Sequence, residues 1–284
     1  MTARRWAGVR DQLLGLWSAL ALLYLFLPIF VVVLFSFNEP KGRFNLTWQG
    51  FTLDHWLHPF RVEGLGSAFA NSIEIAAIST AIAVALGTFM ALALVRYVFR
   101  GRRATDLFVF LPLATPEVVL GAALLGLFLT LNVATGFVTI VIAHVMFNVS
   151  YVVVTVKARL EGMDTHIEEA AMDLGANEWT TFRSVTLPMI APGVAAAALL
   201  AFALSIDDFV ITNFNAGQTV TFPLFIYGAA RQGVPAEVNV LASAILVVAL
   251  IGMFVNLVVQ RRRARAEGAP EAMVPVPPGA PASG

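Results

Sequence analysis

Six long apolar runs constrain this chain more than any other feature: approximately residues 13–37, 70–95, 107–131, 135–156, 191–213 and 239–260. About twenty apolar residues cross the hydrocarbon core of a bilayer as an α-helix. A backbone in lipid must satisfy its own hydrogen bonds, so helices are the spanning structure these runs can form. The composition agrees, because 58% hydrophobic against 13% charged residues is more apolar surface than a soluble domain of this length can hide. The expected fold is all-α integral membrane. Six transmembrane helices occupy 13–260, after a short N-terminal segment, 1–12. The last residues, 261–284, are rich in Pro, Ala and Gly and are expected to be disordered. The first run is too long for a signal-peptide core and passes into Asn38-Glu39 without a small-residue cleavage pattern, so it reads as a retained span. No internal repeat of 20–50 residues is visible.

The formal net charge of zero conceals an asymmetry. Arg4, Arg5 and Arg10 precede the first span; Arg96, Arg100, Arg102 and Arg103 follow the second. Lys157, Arg159 and Arg183 lie between the fourth and fifth, and Arg261, Arg262, Arg263 and Arg265 follow the sixth. Fourteen of the eighteen lysines and arginines thus fall on one side, leaving Lys41, Arg43, Arg61 and Arg231 for the other. Basic loops stay in the cytoplasm, so both termini and the 157–192 loop are expected there. The opposite loop, 38–69, carries Phe44, Trp48, Phe51, Trp56 and Phe60, rings that favour the membrane–water interface.

Within the 157–192 loop, one segment has a design no span requires. Thr165 and Glu168 have the S/T-x-x-E spacing of a capping box. Ile167, Ala170, Ala171 and Leu174 then fall on one helical stripe. Gly175 can end that helix in a left-handed conformation. Asn177 can cap a second short helix carrying Trp179, Phe182 and Val185, limited by Pro188 and Pro192. Two short helices meeting at a glycine, with an adhesive face, have the form of a docking element for a soluble partner.

This segment resembles a known one. Glu169-Ala170-Ala171, three residues, Gly175, nine residues, Val185, one residue and Leu187-Pro188 follow the EAA-x3-G-x9-I-x-LP loop of ABC-importer permeases, with Val at the position where Ile is usual. The resemblance implies a type I ABC-importer permease architecture. It also implies that Glu169, Ala170, Ala171, Gly175, Trp179, Phe182, Leu187 and Pro188 couple this chain to a groove of a cytoplasmic ATPase. ATP and Mg would be bound by that partner, because this chain has no G-x-x-x-x-G-K-[ST] loop of its own and no cofactor is expected in it.

Ionisable groups inside spans are costly and mark function by default. Asp207 and Asp208 stand together in LSIDDFVITN, Glu117 follows Pro116 in the third span, and Glu74 lies near the outer end of the second. Pro112 and Pro116 should bend the third span and free carbonyls where backbone lines a cavity. His144 is the nearest base within the spans, and it reads better as a packed, hydrogen-bonded histidine than as a ligand. Acids without matching bases suit a cationic solute that supplies the missing charge in passage. Neighbours on a helix point about 100° apart, so one aspartate of the pair faces away from any path and can cap a broken helix or bond a partner.

RYVFRG, LPLATPEVVLG, FALSIDDFVITNF and GVPAEVNVLAS resemble the spermidine/putrescine branch of these permeases, from about Pro28 to Val259. That resemblance implies a substrate path containing Glu117, Asp207, Asp208 and Glu237. Its further implications are an ATPase dimer, a second permease subunit and an extracytoplasmic solute-binding protein as partners. Related branches carry other organic cations or amino-acid derivatives. No H-E-x-x-H or G-x-S-x-G motif is present, no metal site is expected, and cysteine is absent, so the chain is not read as an enzyme. The rival of another class is an ion-gradient-driven secondary transporter, for which six spans without a repeat are few and the docking loop has no purpose.

Overall fold

A computed structural model describes residues 2–42, 44–164 and 166–267 of the chain. Among them the regular structure is helical, with an isolated antiparallel bridge between Asn38 and Phe51. The chain divides into two compact units: Met1–Pro59 with Ala236–Gly284, and Phe60–Pro235.

The first unit contains α1 (Thr2–Phe35), a short α2 (Asp54–Leu57) and α12 (Ala236–Glu267). Between α1 and α2 the chain folds around Asn38, whose side chain is fully buried. Its Nδ2 donates to Asn45 Oδ1 at 2.6 Å and to the Thr47 carbonyl at 2.9 Å, while its Oδ1 accepts from the Gln49 amide at 2.7 Å. One amide thus satisfies loop groups that have no ladder to join. On this frame Phe51, Phe37 and Trp56 form a stack, with successive centroids 5.7 and 5.4 Å apart. Phe44, Trp48 and Phe51 are exposed.

The second unit is built on α3 (Leu65–Arg96), α6 (Phe137–Glu161) and α9 (Leu187–Ile206). Ala83, Ala91 and Leu94 of α3, Val152, Val153 and Val156 of α6, and Ile190, Ala197 and Ala201 of α9 bury one continuous core. Small residues let these backbones approach, which is how packing drives association where lipid is as apolar as leucine. A Cβ on Gly87 would lie 2.7 Å from Val152 Cγ1. That contact leaves no room for any side chain at position 87.

Around this core lie α4 (Arg102–Ala114), α5 (Glu117–Thr130), α7 (His166–Asp173), α8 (Glu178–Thr181), α10 (Val210–Asn215) and α11 (Phe222–Ala230). Two expected spans are discontinuous. The third splits into α4 and α5, which meet at 110°. Thr115 and Pro116 are both extended (ψ 132 and 133°), Thr115 because the following proline ring clashes with a helical backbone there. The fifth stops at Ile206 and resumes at Val210. At its start, a five-residue π-helical turn, Phe182–Thr186, joins α8 to α9, a rare bulge that lets a helix change its facing side.

Among the described residues, four helical stretches are therefore long and apolar enough to span alone: Leu13–Phe35, Leu65–Arg96, Phe137–Glu161 and Glu178–Ile206. The bent pair makes a fifth if it counts as one crossing, and the sixth expected run lies in α12, whose apolar part is Ala236–Gly252. The all-α membrane fold stands; Thr115-Pro116 bends the third expected run, as its prolines implied, and Asp207-Asp208 breaks the fifth. Helix α12 also continues through Arg261–Arg265 to Glu267, so the tail expected from 261 begins as helix; 268–284 lie outside the described residues.

Candidate functional site

The segment expected to dock folds as two short helices. α7 ends at Gly175, whose φ of +92° is left-handed. The Gly175 amide donates to the Met172 carbonyl at 2.9 Å and the Ala176 amide to that of Ala171 at 3.1 Å, which closes the last turn. Asn177 Oδ1 then accepts from the Thr180 amide at 2.8 Å and starts α8. Trp179 stacks on Phe182 with centroids 5.7 Å apart, and Phe182 leans on the α3–α6–α9 core. Pro188 occupies the first turn of α9, where its missing N–H costs nothing. Thr165, the expected capping residue, lies outside the described residues.

The apolar stripe of α7 is not buried against its own chain. Ile167 and Leu174 are exposed, Leu174 to 90%, and Trp179 to 68%. Glu169 and Ala170 are exposed, and Ala171 is half-buried. A Cβ on Gly175 would meet nothing within 4 Å. Leu187 is partly exposed as well. This face is apolar, ordered and uncovered, which is unusual unless something docks on it.

What holds the segment is a clasp that sequence spacing did not reveal. Glu168, from α7, accepts from Arg96 Nη2 at the end of α3 and from Thr186 Oγ1 in the π-turn. Arg96 Nη2 also donates to Thr186 Oγ1 at 3.2 Å. Beside the clasp lies a groove of about 550 Å³, lined by Phe89, Tyr97, Met172, Trp179 and Phe182 among others. Arg96 was visible in the sequence only as one of many basic residues, since nothing local relates positions 96 and 168.

The membrane acids separate into two kinds. Asp208 is enclosed, with 8% of its side chain exposed. Its Oδ2 accepts from the Thr212 amide and hydroxyl, each at 2.7 Å, and its Oδ1 from the Ile211 amide at 3.3 Å. It therefore caps α10 at the break. His144 Nε2 reaches Asp208 Oδ2 at 3.2 Å and Thr212 Oγ1 at 3.0 Å. Its Nδ1 reaches Ser205 Oγ at 2.6 Å, and Ser205 reaches Ser79 Oγ at 3.1 Å. His144 is thus the packed, hydrogen-bonded histidine expected of it. Asp207 is exposed, and no hydrogen bond or ion pair joins its carboxylate to another described residue.

Glu117 is the first residue of α5, exposed immediately after the Thr115-Pro116 bend. Glu74 is also exposed. Glu237, in the other unit, is buried at the start of α12, and its Oε1 lies 3.1 Å from His55 Nδ1. Among the described residues no cluster of three potential metal ligands occurs.

A family model described as "Binding-protein-dependent transport system inner membrane component" matches residues 83–266. The chain is 37% identical over 243 residues to the spermidine/putrescine transport system permease protein PotC of Escherichia coli (strain K12), covering 85% of this chain and 91% of that protein. It is 37% identical over 254 residues to the putrescine transport system permease protein PotI of the same organism, covering 85% and 90%. Among solved structures it is similar to a bacterial ABC transporter involved in the import of the acidic polysaccharide alginate, with TM-score 0.66 and 18% identity over 91% of this chain and 99% of that one. It also resembles the inward-facing MetNI methionine ABC transporter, with TM-score 0.57 and 18% identity over 69% and 95%. At that identity the solved structures speak to the fold alone, an all-α importer permease.

Proposed function

The chain belongs to the family of binding-protein-dependent transport system inner membrane components, and we propose that it is the permease subunit of an ATP-driven importer of polyamines. The observation that carries this reading is its likeness, over 85% of its length, to two permeases named for spermidine and putrescine transport. Its relatives are transport permeases, and the chain is a transport subunit rather than an enzyme.

Glu169 to Pro188 is the surface that meets a cytoplasmic ATPase. The uncovered stripe of Ile167, Leu174 and Trp179 supports this, and so does the asymmetry of the basic residues, which favours a cytoplasmic loop and cytoplasmic termini in a bacterial inner membrane. ATP and Mg belong to that partner. Closure of the ATPase dimer moves α7 and α8 as a body, a rigid-body form of alternating access. A second permease subunit supplies the other half of the path, and an extracytoplasmic solute-binding protein delivers the cation.

Of the four acids implicated in the path, Glu117 and Asp207 are exposed and carry the solute's charge. Asp208 shapes the helix break beside them, and Glu237 ties α12 to His55. Labelled putrescine and spermidine presented to vesicles, with ATP or with a proton gradient as the sole energy source, test the reading. Uptake that follows ATP and requires the binding protein is expected. Uptake driven by the proton gradient would instead make this a secondary transporter, and ATP-driven uptake of neither polyamine would remove the substrate assignment.

A further inference from the structure

We propose that His144 is the positioning residue of the α9–α10 break: it holds Asp208 inward and thereby leaves Asp207 as the one aspartate of the pair presented outward. The two aspartates are adjacent, and local preference alone does not choose between them, since either could cap the short α10. The choice is made by what lies across from them on α6.

Bond accounting shows how. An ionised Asp208 offers only lone pairs, and Thr212 spends its hydroxyl proton on Asp208 Oδ2. His144 Nε2 therefore carries a hydrogen, shared between that carboxylate and Thr212 Oγ1. On the other side of the ring, Nδ1 meets Ser205, the penultimate residue of α9, and Ser205 meets Ser79 of α3. The imidazole thus spans the break, with one nitrogen bonded to the end of α9 and the other to the start of α10. The ring is itself enclosed, with 3% of its side chain exposed.

The serines let the ring hold this post in either protonation state. When Nδ1 is bare, the Ser205 hydroxyl donates to it. When Nδ1 carries a proton, it donates to Ser205, which turns its hydroxyl to Ser79, and Ser79 donates to the Ala76 carbonyl at 3.3 Å. Neither state leaves His144 Nδ1, Ser205 or Ser79 without a bond, a loss that would cost about 1–3 kcal/mol for each buried group. Among the described residues, the titratable group bonded to the ring is Asp208, next to Asp207 in the chain, and the bonds from the α3 and α9 side come from the hydroxyls of Ser79 and Ser205.

The test reads the placement of position 207 directly and needs no substrate. This chain has no cysteine, so Asp207→Cys gives it one thiol, whose labelling by a small cationic methanethiosulfonate reagent is read on this chain after the assembled transporter is separated into its subunits. His144→Leu, of similar bulk but without hydrogen bonds, is expected to slow labelling at least fivefold. His144→Gln, which can donate to Asp208 and accept from Ser205, is expected to restore it to within about twofold. An unchanged rate in His144→Leu, or a thiol at 207 that never reacts, overturns the inference. If His144→Leu does not accumulate, Ser205→Ala removes the Nδ1 contact together with the Ser205–Ser79 bond and leaves both Nε2 contacts in place. A rate slowed severalfold then supports the inference, and an unchanged one overturns it. The inference rests on the polyamine reading only in a second arm: with Asp207 in place, His144→Leu should raise the KM for spermidine about tenfold and change the maximal rate much less. Slowed labelling with an unchanged KM supports the positioning role and removes Asp207 from the path.

Discussion

Arg96, in the last turn of α3, donates to Glu168 of α7 across 72 residues of sequence, and Glu168 also accepts from Thr186 at the foot of α9. One carboxylate therefore joins two core helices to the docking segment. The clasp is a direct side-chain link from α7 to the end of α3 and the start of α9.

Removal of the clasp should uncouple transport from nucleotide hydrolysis. Arg96→Gln leaves a mostly buried carboxylate with one partner fewer, and uptake is expected to fall about tenfold, equivalent to about 1.4 kcal/mol of lost coupling. Co-purification with the ATPase should survive. Measuring ATP hydrolysed per polyamine imported checks it, and an unaltered ratio would assign the clasp to stability alone.

Gly175 distinguishes backbone strain from a blocked interface. Its φ of +92° disfavours any side chain, at about 1–2 kcal/mol for alanine, whereas asparagine tolerates this region. Nothing within the chain lies near its Cβ position. Gly175→Asn should therefore fold with little loss. Gly175→Asp should also insert in the membrane yet transport at least tenfold less, through the charge it brings to the partner's groove. Equal transport by the glycine and aspartate forms would mean that nothing docks there.

Orientation is open to a direct test. Single cysteines at Lys41 and at Arg102 should react with an impermeant maleimide from opposite sides of the membrane. Reaction of both from outside would overturn the placement drawn from the basic residues.

The acids should separate by experiment as they do in geometry. Glu117→Gln and Asp207→Asn remove exposed charges with little change of shape. Each should lower uptake clearly, and more for spermidine than for putrescine, while assembly and basal ATPase activity persist. Asp208→Asn weakens a buried network, at about 1–3 kcal/mol, and should reduce the amount of assembled transporter. Normal uptake by both Glu117→Gln and Asp207→Asn would make these acids structural; equal assembly of all three variants would remove the distinction between Asp207 and Asp208.

Much of this was written in local pattern. Apolar length identified the membrane helices because a bilayer imposes one thickness on every span. The two docking helices were legible because caps and a left-handed glycine act within four or five residues: Asn177 and Gly175 do what their spacing implied. Pro112 and Pro116 announced a bend, though its angle of 110° depends on what α4 and α5 pack against.

Asp207 and Asp208 mark the boundary between the two kinds of information. Sequence alone showed two acids in an apolar span and required that they point in different directions. It could not say which was enclosed, because that depends on His144, more than sixty positions away on another helix. Glu168 likewise looked like a capping residue until Arg96 and Thr186 were found beside it. Chain composition and spacing determined the membrane fold, the docking motif and the presence of intramembrane charge, since each arises from interactions along one helix or with lipid. Tertiary structure decided which charges are spent on holding the fold and which are left over, because a buried carboxylate is stable only where donors from other helices converge on it.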